Sequence, residues 1–357
     1  MIVNRFLCAF FTMLLCGLAT VSAQQTLPPS ALSAVPADQR AIRLNVVVDT
    51  KSGQPVSNLR EQDFTVLDNK TPRPITNFKI KSAADEPVSV IVLVDAVNIP
   101  YDMVAWSRQE VEKFLKTNEG KLSYPTSVAV LTDQGVQIDK GFTTDGNALS
   151  DGLEHHEIGL RQISRSSEWG VLERMQICIT AFQQFMSYAS SLPGRKIVVW
   201  VSPGWPLLSG PRMDLDSNQE EHIFNEIVEI STRLRQIDLT VYDISPIGVT
   251  ESIERADDYQ AFLKGITRPN QVEVGNLGLQ VLAVQSGGLA FEGNSDVDGL
   301  IQRCLADAKS WYEIEFTPLP ADKPNEYHHI EIKLDQRDLV ARTRDGYYAN
   351  PTVIQQH

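Results

Sequence analysis

The feature that most constrains this chain is a run of eight residues, Val88–Asp95, with the sequence Val-Ser-Val-Ile-Val-Leu-Val-Asp. Apolar residues fill nearly every position without polar alternation, which is typical of a strand buried on both faces of a parallel sheet. We therefore predict that this run is the central strand of an α/β sheet. Asn98 and Pro100 follow the run closely. Because open α/β sheets bind ligands outside the carboxyl ends of their strands, Asp95 and Asn98 become candidate site residues.

Other segments with strand-like patterns surround this run, and helical stretches separate most of them. The predicted strands are residues 127–133, 136–143, 196–202, 239–244 and 288–292. The predicted helices are residues 103–116, 145–153, 171–191, 217–236, 274–285 and 296–309. This alternation predicts a mainly parallel, six-stranded sheet with helices on both faces. Gln134-Gly135 indicates a hairpin at one edge, and Ser217 with Glu220 forms a capping-box pattern.

The regions on either side of this unit have the period-two pattern of β-strands and Pro-rich or Gly-containing turns. Residues 41–85 and 311–349 contain about three strands each, and a few strands need a second layer to bury their apolar face. We therefore predict one small β domain built from both segments. Residues 86–310 form the α/β domain, and we expect this fragment to keep its core when expressed alone.

The first 23 residues have the features of a secretory signal peptide, namely Arg5, an apolar run over residues 6–21, and Val-Ser-Ala before Gln24. The run is shorter than the ~20 residues of a membrane-spanning helix, so we expect cleavage near Ala23, with retention as an anchor as the alternative. Residues 24–40 are rich in Pro, Ala, Ser and Gln and predict a flexible linker. Residues 350–357 form a tail. The mature protein is expected to be secreted or periplasmic.

The charge balance excludes one class of partner. Without Arg5 the mature chain carries 31 basic and 45 acidic residues, a net charge of −14. Such a chain repels polyanions, so nucleic acid is not an expected partner. Two cysteines remain, Cys178 and Cys304, too few for a disulfide scaffold.

Residues 86–310 resemble the von Willebrand factor type A domain. The resemblance rests on the apolar strand that ends in Asp95, the antiparallel edge hairpin, and Leu192-Pro-Gly-Arg-Lys196 before a strand that ends in Ser-Pro-Gly. The chain is more closely similar to the von Willebrand factor A-related proteins of Acidobacteria, a family with no assigned activity known to us. That similarity is carried by Asp95-Ala-Val-Asn98, Phe142-Thr-Thr-Asp145, Leu192-Pro-Gly-Arg-Lys196, Asp63-Phe64 and Gly346-Tyr347-Tyr348.

The resemblance implies a divalent-cation site at the top of the sheet, the edge formed by the carboxyl ends of the parallel strands. In that fold the cation is held by an Asp-x-Ser-x-Ser loop, a Thr from a later loop and an Asp after the fourth strand. Asp95 matches the first position, but three other ligand positions are Val97, Ile99 and Pro203, which have no side-chain oxygen. We therefore expect a degenerate metal site and no cofactor.

The alternative is a weaker Mg²⁺ site rebuilt around Asp95 from Asn98, Ser202 and Asp243. The resemblance also places the last helix beside the first. Because right-handed crossovers put the helix of Cys178 on the opposite face, Cys178 and Cys304 are expected to be free thiols on opposite sides of the sheet.

The remaining polar motifs are predicted to be structural. His155-His156-Glu157 and His328-His329 lack the spacing of a zinc site, and adjacent side chains point apart, so we predict a solvated surface for both. Asp257-Asp258 is expected to be a solvated charge pair. Thr144 or Asp145 is expected to cap the helix that follows.

No sequence pattern supports catalysis. Ser202 lacks the Gly-x-Ser-x-Gly context of a nucleophile elbow, and there is no phosphate-binding Gly-rich loop. An enzyme is therefore not expected. An unrecognised hydrolase stays an alternative, and its acid, base or nucleophile would come from Asp95, Ser202, His155 and Asp243.

We expect a non-catalytic module that binds a protein or cell-envelope component through the loops at the top of the sheet. Trp169 and Trp205 lie in these loops and are candidate interface anchors, because aromatic residues concentrate binding energy. Alternatively, both cover the edge of the domain's own core. The candidate binding residues are Asp95, Asn98, Ser166, Ser167, Trp169, Ser202, Trp205 and Asp243.

Overall fold

The computed structural model describes residues 41–155, 168–206, 215–246 and 259–351. These residues form fifteen strands and six α-helices. The strands are β1 Ile42–Thr50, β2 Phe64–Asp68, β3 Thr71–Arg73, β4 Ile75–Lys81, β5 Val88–Asp95, β6 Lys121–Thr132, β7 Gly135–Ile138, β8 Thr143–Asp145, β9 Arg195–Val201, β10 Leu239–Ile244, β11 Ala290–Phe291, β12 Trp311–Phe316, β13 Glu326–Leu334, β14 Leu339–Arg342 and β15 Gly346–Ala349. The helices are α1 Tyr101–Leu115, α2 Gly146–His155, α3 Glu168–Ala189, α4 Ser217–Gln236, α5 Leu279–Gln285 and α6 Val297–Ala306. The predicted signal peptide, linker and C-terminal residues 352–357 lie outside the described residues, as do His156, Glu157, Asp257 and Asp258.

The central sheet has the strand order β11-β10-β9-β5-β6-β7, with β8 also paired to β6. The first five strands of this order are parallel, and β7 and β8 run antiparallel to β6. The prediction of a mainly parallel α/β sheet with β5 at its centre is confirmed. The predicted number of six strands is wrong, because residues 136–143 do not form one strand. Gly141, with φ +88°, turns the chain between β7 and β8 and makes the sheet seven-stranded.

The two faces of β5 supply two separate hydrophobic cores, because successive strand residues point to opposite faces. Val90, Val92 and Val94 lie in one core with residues of α1, α2 and α6. Ile91 and Leu93 lie in the other core with residues of α3, α4 and α5. All eight residues of β5 are buried. Helices therefore cover both faces, as predicted, and the side-chain alternation of β5 divides the core into two halves.

Local capping side chains set the beginnings of two helices. Asp145 caps α2, since its Oδ1 accepts hydrogen bonds from the backbone N–H groups of the second and third residues after it. This confirms the structural role expected for that motif. The capping box of α4 lies one residue earlier than predicted. Asp216, not Ser217, is the N-cap, and the Gln219 side-chain oxygen accepts a hydrogen bond from the Asp216 backbone N–H.

The Leu192-Pro-Gly-Arg-Lys196 motif lies at the opposite end of the sheet from the carboxyl end of β5. Gly194 has φ +65°, and a Cβ atom there would lie 2.1 Å from the carbonyl oxygen of Pro87, so only glycine fits this turn. The next residue, Arg195, is buried, and its guanidinium lies 4.7 Å above the ring of Trp311. The motif therefore has a packing role at the start of β9.

The segments before and after the α/β unit pair with each other in two antiparallel sheets. Their strand orders are β14-β1-β12-β4 and β15-β13-β2-β3. Each sheet combines strands from both ends of the chain, as in the pairing of β1 with β12 and of β2 with β13. Their side chains enclose a third hydrophobic core, in which the rings of Phe64 and Tyr312 pack with centroids 4.9 Å apart.

His328 corrects the expectation of a solvated histidine pair. It is only 1% exposed, and its Nδ1 lies 2.9 Å from Asp68 Oδ1, a residue 260 positions earlier. Tyr347 completes the cluster, because its hydroxyl donates to Asp68 Oδ2 over 2.8 Å. The physical reason is strand alternation, which turns His328 into the core of the two β-sheets and leaves His329 exposed.

Cys178 and Cys304 are both buried and free. Cys178 is a residue of α3 and lies in the core on one face of the sheet. Cys304 is a residue of α6 and lies in the core on the other face. The prediction for the two thiols is confirmed. Within the described residues, no helix combines the length and the apolar character needed to cross a membrane.

Candidate functional site

The candidate site lies where β5 and β9 end side by side. These two strands are neighbours, and the chain leaves them in opposite directions to reach β6 on one side and β10 on the other. Such a reversal of strand order is the position where open α/β sheets bind ligands. Asp95 is the last residue of β5, and Ser202 directly follows β9. Strand alternation brings Asp95, Ser202 and Trp200 onto the face covered by α3.

The Asp95 carboxylate is surrounded by five hydrogen-bond donors. Oδ1 accepts from the backbone N–H groups of Val97 and Asn98, over 3.1 and 2.9 Å. Oδ2 accepts from the Asn98 side-chain amide over 2.8 Å and from the Ser202 hydroxyl over 2.8 Å. The fifth donor is the Trp200 indole Nε1, at 3.3 Å from Oδ2. A carboxylate has about four lone-pair directions, so this group is saturated by the protein itself.

Burial and these contacts act on the Asp95 carboxyl in opposite directions. Burial raises its pKa, and the hydrogen bonds from Asn98, Ser202 and Trp200 oppose that rise. The five donors stabilise the charged form of the carboxyl inside the protein.

Cys178 extends the group to α3. The Asn98 amide Nδ2 also lies 3.1 Å from Cys178 Sγ, so one side chain contacts both the strand end and the helix. Burial and the negative charge of Asp95 raise the pKa of the Cys178 thiol well above its ordinary value. A neutral, buried thiol is a poor nucleophile and a poor metal ligand. We call Asp95, Asn98, Cys178, Trp200 and Ser202 the Asp95 cluster.

The hydrogen bonds of the Asp95 cluster bear on the alternative of a rebuilt cation site. Asn98 and Ser202, two ligands of the alternative rebuilt site, both point hydrogen-bond donors at Asp95. A cation at that carboxylate would face N–H and O–H groups in place of the six oxygens that Mg²⁺ requires. Ile99, at another ligand position of the related fold, is packed in the hydrophobic core. Among the residues that the structure describes, no group of three or more His, Cys, Asp or Glu side chains is arranged to hold a metal.

The side chains of five of the eight candidate binding residues lie among the described residues, and all five are buried, which is not the exposed position expected of ligand contacts. Asp95 and Ser202 are 0% exposed and Asn98 is 4% exposed. Asp243 is also fully buried in β10, opposite Trp200 of β9. Their position at the end of the sheet is as predicted, but the loops close over them. Their side chains bond to the loops around them.

Trp205 is wrong as an interface anchor. It is 2% exposed, and its ring packs edge-on against Trp200 and Phe182, with centroids 5.5 and 5.4 Å away. The alternative, that it covers the domain's own core, is correct, because the turn after β9 folds the indole back under α3. Trp169 lies in the first turn of α3, but its side chain is outside the described residues, as are Ser166 and Ser167.

Ser202 and His155, two residues of the hydrolase alternative, each have other partners among the described residues. The Ser202 hydroxyl donates to Asp95 and accepts from the backbone N–H of Gly204. Neither partner is a histidine that could take its proton. The His155 ring is bonded to the backbone carbonyl of Asp151 at the end of α2.

Sequence reasoning missed two members of the Asp95 cluster. Trp200 was recognisable, because it lies two positions before Ser202 and therefore on the same face of β9. Cys178 carried no local signal, since its contact with Asn98 joins residues 80 positions apart.

Comparisons with known proteins find weak structural likeness only. No protein-family model matches this sequence, and no curated protein matches it. An aerotolerance-related membrane protein from Bacteroides fragilis is 13% identical over 61% of this chain and 98% of its own, with a TM-score of 0.34. The PilB minor pilin from Streptococcus sanguinis is 9% identical over 66% of this chain and 63% of its own, with a TM-score of 0.34. The manganese-loaded TRAP protein from Plasmodium vivax is 10% identical over 75% of this chain and 96% of its own, with a TM-score of 0.34. At these values the likenesses carry no inference about ligand or activity, and the fold assignment rests on the strand order itself.

Proposed function

We propose that this protein is a non-catalytic binding module that holds a protein or cell-envelope component on the loops at the carboxyl ends of β5 and β9. The observation that carries the proposal is the saturated Asp95 carboxylate. It ties residues 96–98 and the Ser202 turn to one point through five hydrogen bonds. A loop surface that is ordered before binding loses less conformational entropy when a partner docks, so such a device favours affinity.

The chemistry of the same cluster supports binding over catalysis. Asp95 is sealed from solvent, Ser202 has no histidine bonded to it, and the Cys178 thiol is held neutral. A general acid or base must come within hydrogen-bond reach of its substrate, and a nucleophile must be exposed to it. The cluster therefore acts as an internal support for the loops.

The proposed binding does not require a divalent cation. The five donors to Asp95 described above are protein groups, and a metal would have to displace several of them while leaving them without acceptors.

The predicted signal peptide implies that the module works outside the cytoplasm. N-terminal sequencing of the protein isolated from the cell envelope tests that localisation, with a start near Gln24 as the expected result.

The test uses capture from bacterial envelope extract by the full mature chain, with excess chelator or with Mg²⁺. Val97→Arg places a long cation at the partly exposed tip of the loop after β5 and is expected to abolish capture of the partner. The matched control is Lys140→Ala, an exposed residue in the turn between β7 and β8 at the other end of the sheet. We expect the control to bind like the wild type, in chelator as in Mg²⁺.

Two outcomes contradict the proposal. Capture that is lost in chelator and restored by Mg²⁺ would favour the cation-dependent adhesion module. Capture that survives Val97→Arg but is lost in Lys140→Ala would place the binding surface at the opposite end. Circular dichroism of each variant separates loss of binding from loss of folding.

A further inference from the structure

A second surface feature lies between two helices on one face of the α/β unit. A groove of about 490 Å³ runs between α3 and α4, and we call it the α3–α4 groove. It is lined by Met175, Gln176, Ile179, Gln183, Leu215, Asp216, Asn218, Gln219, His222, Ile223, Glu226, Val274 and Leu277. This volume is in the range of ligand-binding clefts, which is roughly 300–1,000 Å³.

The floor of the groove is apolar and incompletely covered. Met175, Ile179, Ile223 and Val274 pack against the core on this face but remain partly exposed. Covering partly exposed apolar side chains that are grouped in one concave surface is favourable, because it removes apolar surface from water. The floor is therefore suited to bind aliphatic side chains.

The rim of the groove is acidic. Asp216 and Glu226 line it, and none of the described lining residues is a lysine or arginine. Glu226 is half-buried and accepts a hydrogen bond from Gln183, which reaches across from α3 over 3.1 Å. Burial and the nearby Glu229 carboxylate raise the pKa of Glu226, and His222 opposes the rise. A cation brought close to this carboxylate would stabilise its charge.

The shape of the groove favours a helix as occupant. The lining residues of α3 extend over residues 175–183 and those within α4 over residues 218–226, or roughly 12 Å each at 1.5 Å per residue. An extended peptide between two helices finds no strand edge to pair with, so its backbone groups would lose their hydrogen bonds to water without replacement. A helix satisfies its own backbone and presents only side chains to the floor.

We propose that the α3–α4 groove binds a basic amphipathic helix of a protein partner. The apolar face of that helix lies on Met175, Ile179 and Ile223, and its Lys or Arg residues lie beside Asp216 and Glu226. The net negative charge of the chain attracts such a partner over long range. None of the residues that line the groove belongs to the Asp95 cluster, so different variants test the two proposals.

The experiment measures fluorescence anisotropy of three labelled peptides with the full mature chain. The probe is a Leu/Lys peptide of about four helical turns with leucines at positions i, i+3, i+4 and i+7. The controls are the same pattern with Glu in place of Lys, and a Leu/Lys peptide of identical composition in scrambled order. We expect binding of the first peptide alone, weakening as salt is raised.

Matched variants locate the binding. Glu226→Gln keeps size and shape and is expected to weaken binding of the Leu/Lys peptide about fivefold to tenfold, as for loss of one partly buried charge contact. Ile179→Asn is expected to weaken it more. Glu221→Gln removes an exposed carboxylate of the same helix that does not line the groove, and is expected to change binding less than twofold. Amide hydrogen exchange should show peptide-induced protection in residues 175–183 and 216–226.

Three outcomes would overturn the proposal. The first is equal binding of the scrambled or the Leu/Glu peptide, which means non-specific adsorption. The second is an equal loss of binding in Glu221→Gln and Glu226→Gln, which means a diffuse charge effect. The third is no binding of the Leu/Lys peptide by a wild-type protein shown to be folded by circular dichroism. Val97→Arg should leave peptide binding unchanged, which separates this site from the loops.

Discussion

Tyr347 and Tyr348 are neighbours on β15, yet their side chains lie in two different hydrophobic cores. Tyr347 lies in the core of the β-sheets, and its hydroxyl donates to Asp68. Tyr348 lies in the α/β core beside Phe224, with ring centroids 6.0 Å apart, and its hydroxyl donates to the Ile266 carbonyl. Successive strand residues point to opposite faces, so one dipeptide joins both parts of the molecule. The Gly346-Tyr347-Tyr348 motif therefore has a structural explanation.

The ring of Tyr348 should contribute far more to the stability of the protein than its hydroxyl does. We expect Tyr348→Ala to lower the free energy of unfolding by about 3–5 kcal/mol, because it leaves a cavity in the α/β core. Tyr348→Phe keeps the ring and loses one hydrogen bond, for a cost of about 1 kcal/mol. Urea denaturation followed by circular dichroism measures both values. Similar losses in the two variants would show that ring packing is not the main contribution of Tyr348 to the free energy of unfolding.

The fragment of residues 86–310 should not keep a stable α/β core, which reverses the sequence-based expectation. The fragment lacks Trp311 and Tyr348, which are 1% and 6% exposed and belong to the two cores beside the central sheet. Their removal exposes apolar surface on both faces. We expect a melting temperature well below that of residues 24–357, or no cooperative transition. A sharp thermal transition at the temperature of the longer chain would contradict this.

Arg342 is expected to hold the β-sheets to the α/β unit. Its guanidinium donates to Asp307 Oδ2 over 2.6 Å and to the Gly287 carbonyl over 2.7 Å. Tyr242 donates to the same carboxylate. Arg342→Ala leaves the Asp307 charge buried without its cation, at a cost of about 3–5 kcal/mol.

Denaturation of Arg342→Ala should be compared with Arg337→Ala, an exposed arginine two residues before the start of β14. We expect a change below 0.5 kcal/mol in the control. Adding Asp307→Asn to Arg342→Ala removes the uncompensated charge and should recover part of the loss. No recovery in the double variant would mean that packing, not charge, accounts for the effect.

Asp345 should make stability depend on pH. Burial raises the pKa of its carboxyl from 3.8 to about 6, with His329 opposing the rise. The folded state then binds more protons than the unfolded state between these values, so stability falls as pH rises through 6. The favourable contribution of Asp345 to folding stability is complete below about pH 4 and absent above about pH 7.

Asp345→Asn removes this dependence, since the amide does not ionise. We expect the variant to be more stable than the wild type at pH 7 by on the order of 2 kcal/mol, and equal to it near pH 4. Unfolding free energies measured across this range test the prediction. Parallel curves for the two proteins would show that Asp345 does not titrate differently in the folded state.

The sequence predicted part of the candidate site. The pattern of Val88–Asp95 placed Asp95 at the carboxyl end of the central strand, and the order of strands and helices placed Ser202 nearby. Its character as a closed cluster was not predictable, because it depends on Cys178 and Trp200 approaching from a helix and a neighbouring strand. The α3–α4 groove likewise depends on the separation of two packed helices, which no local pattern encodes.

The sequence by itself determined the central strand, the two-sided cover of helices, and the strand character of both flanking segments, because hydrophobic periodicity is a local property of the chain. Only the tertiary structure decided which polar and aromatic residues face solvent. Trp205 folds inward against Phe182, and His328 meets Asp68 across 260 residues. Burial is the sum of contacts with distant segments, so the same residue types are surface anchors in one packing and core elements in another.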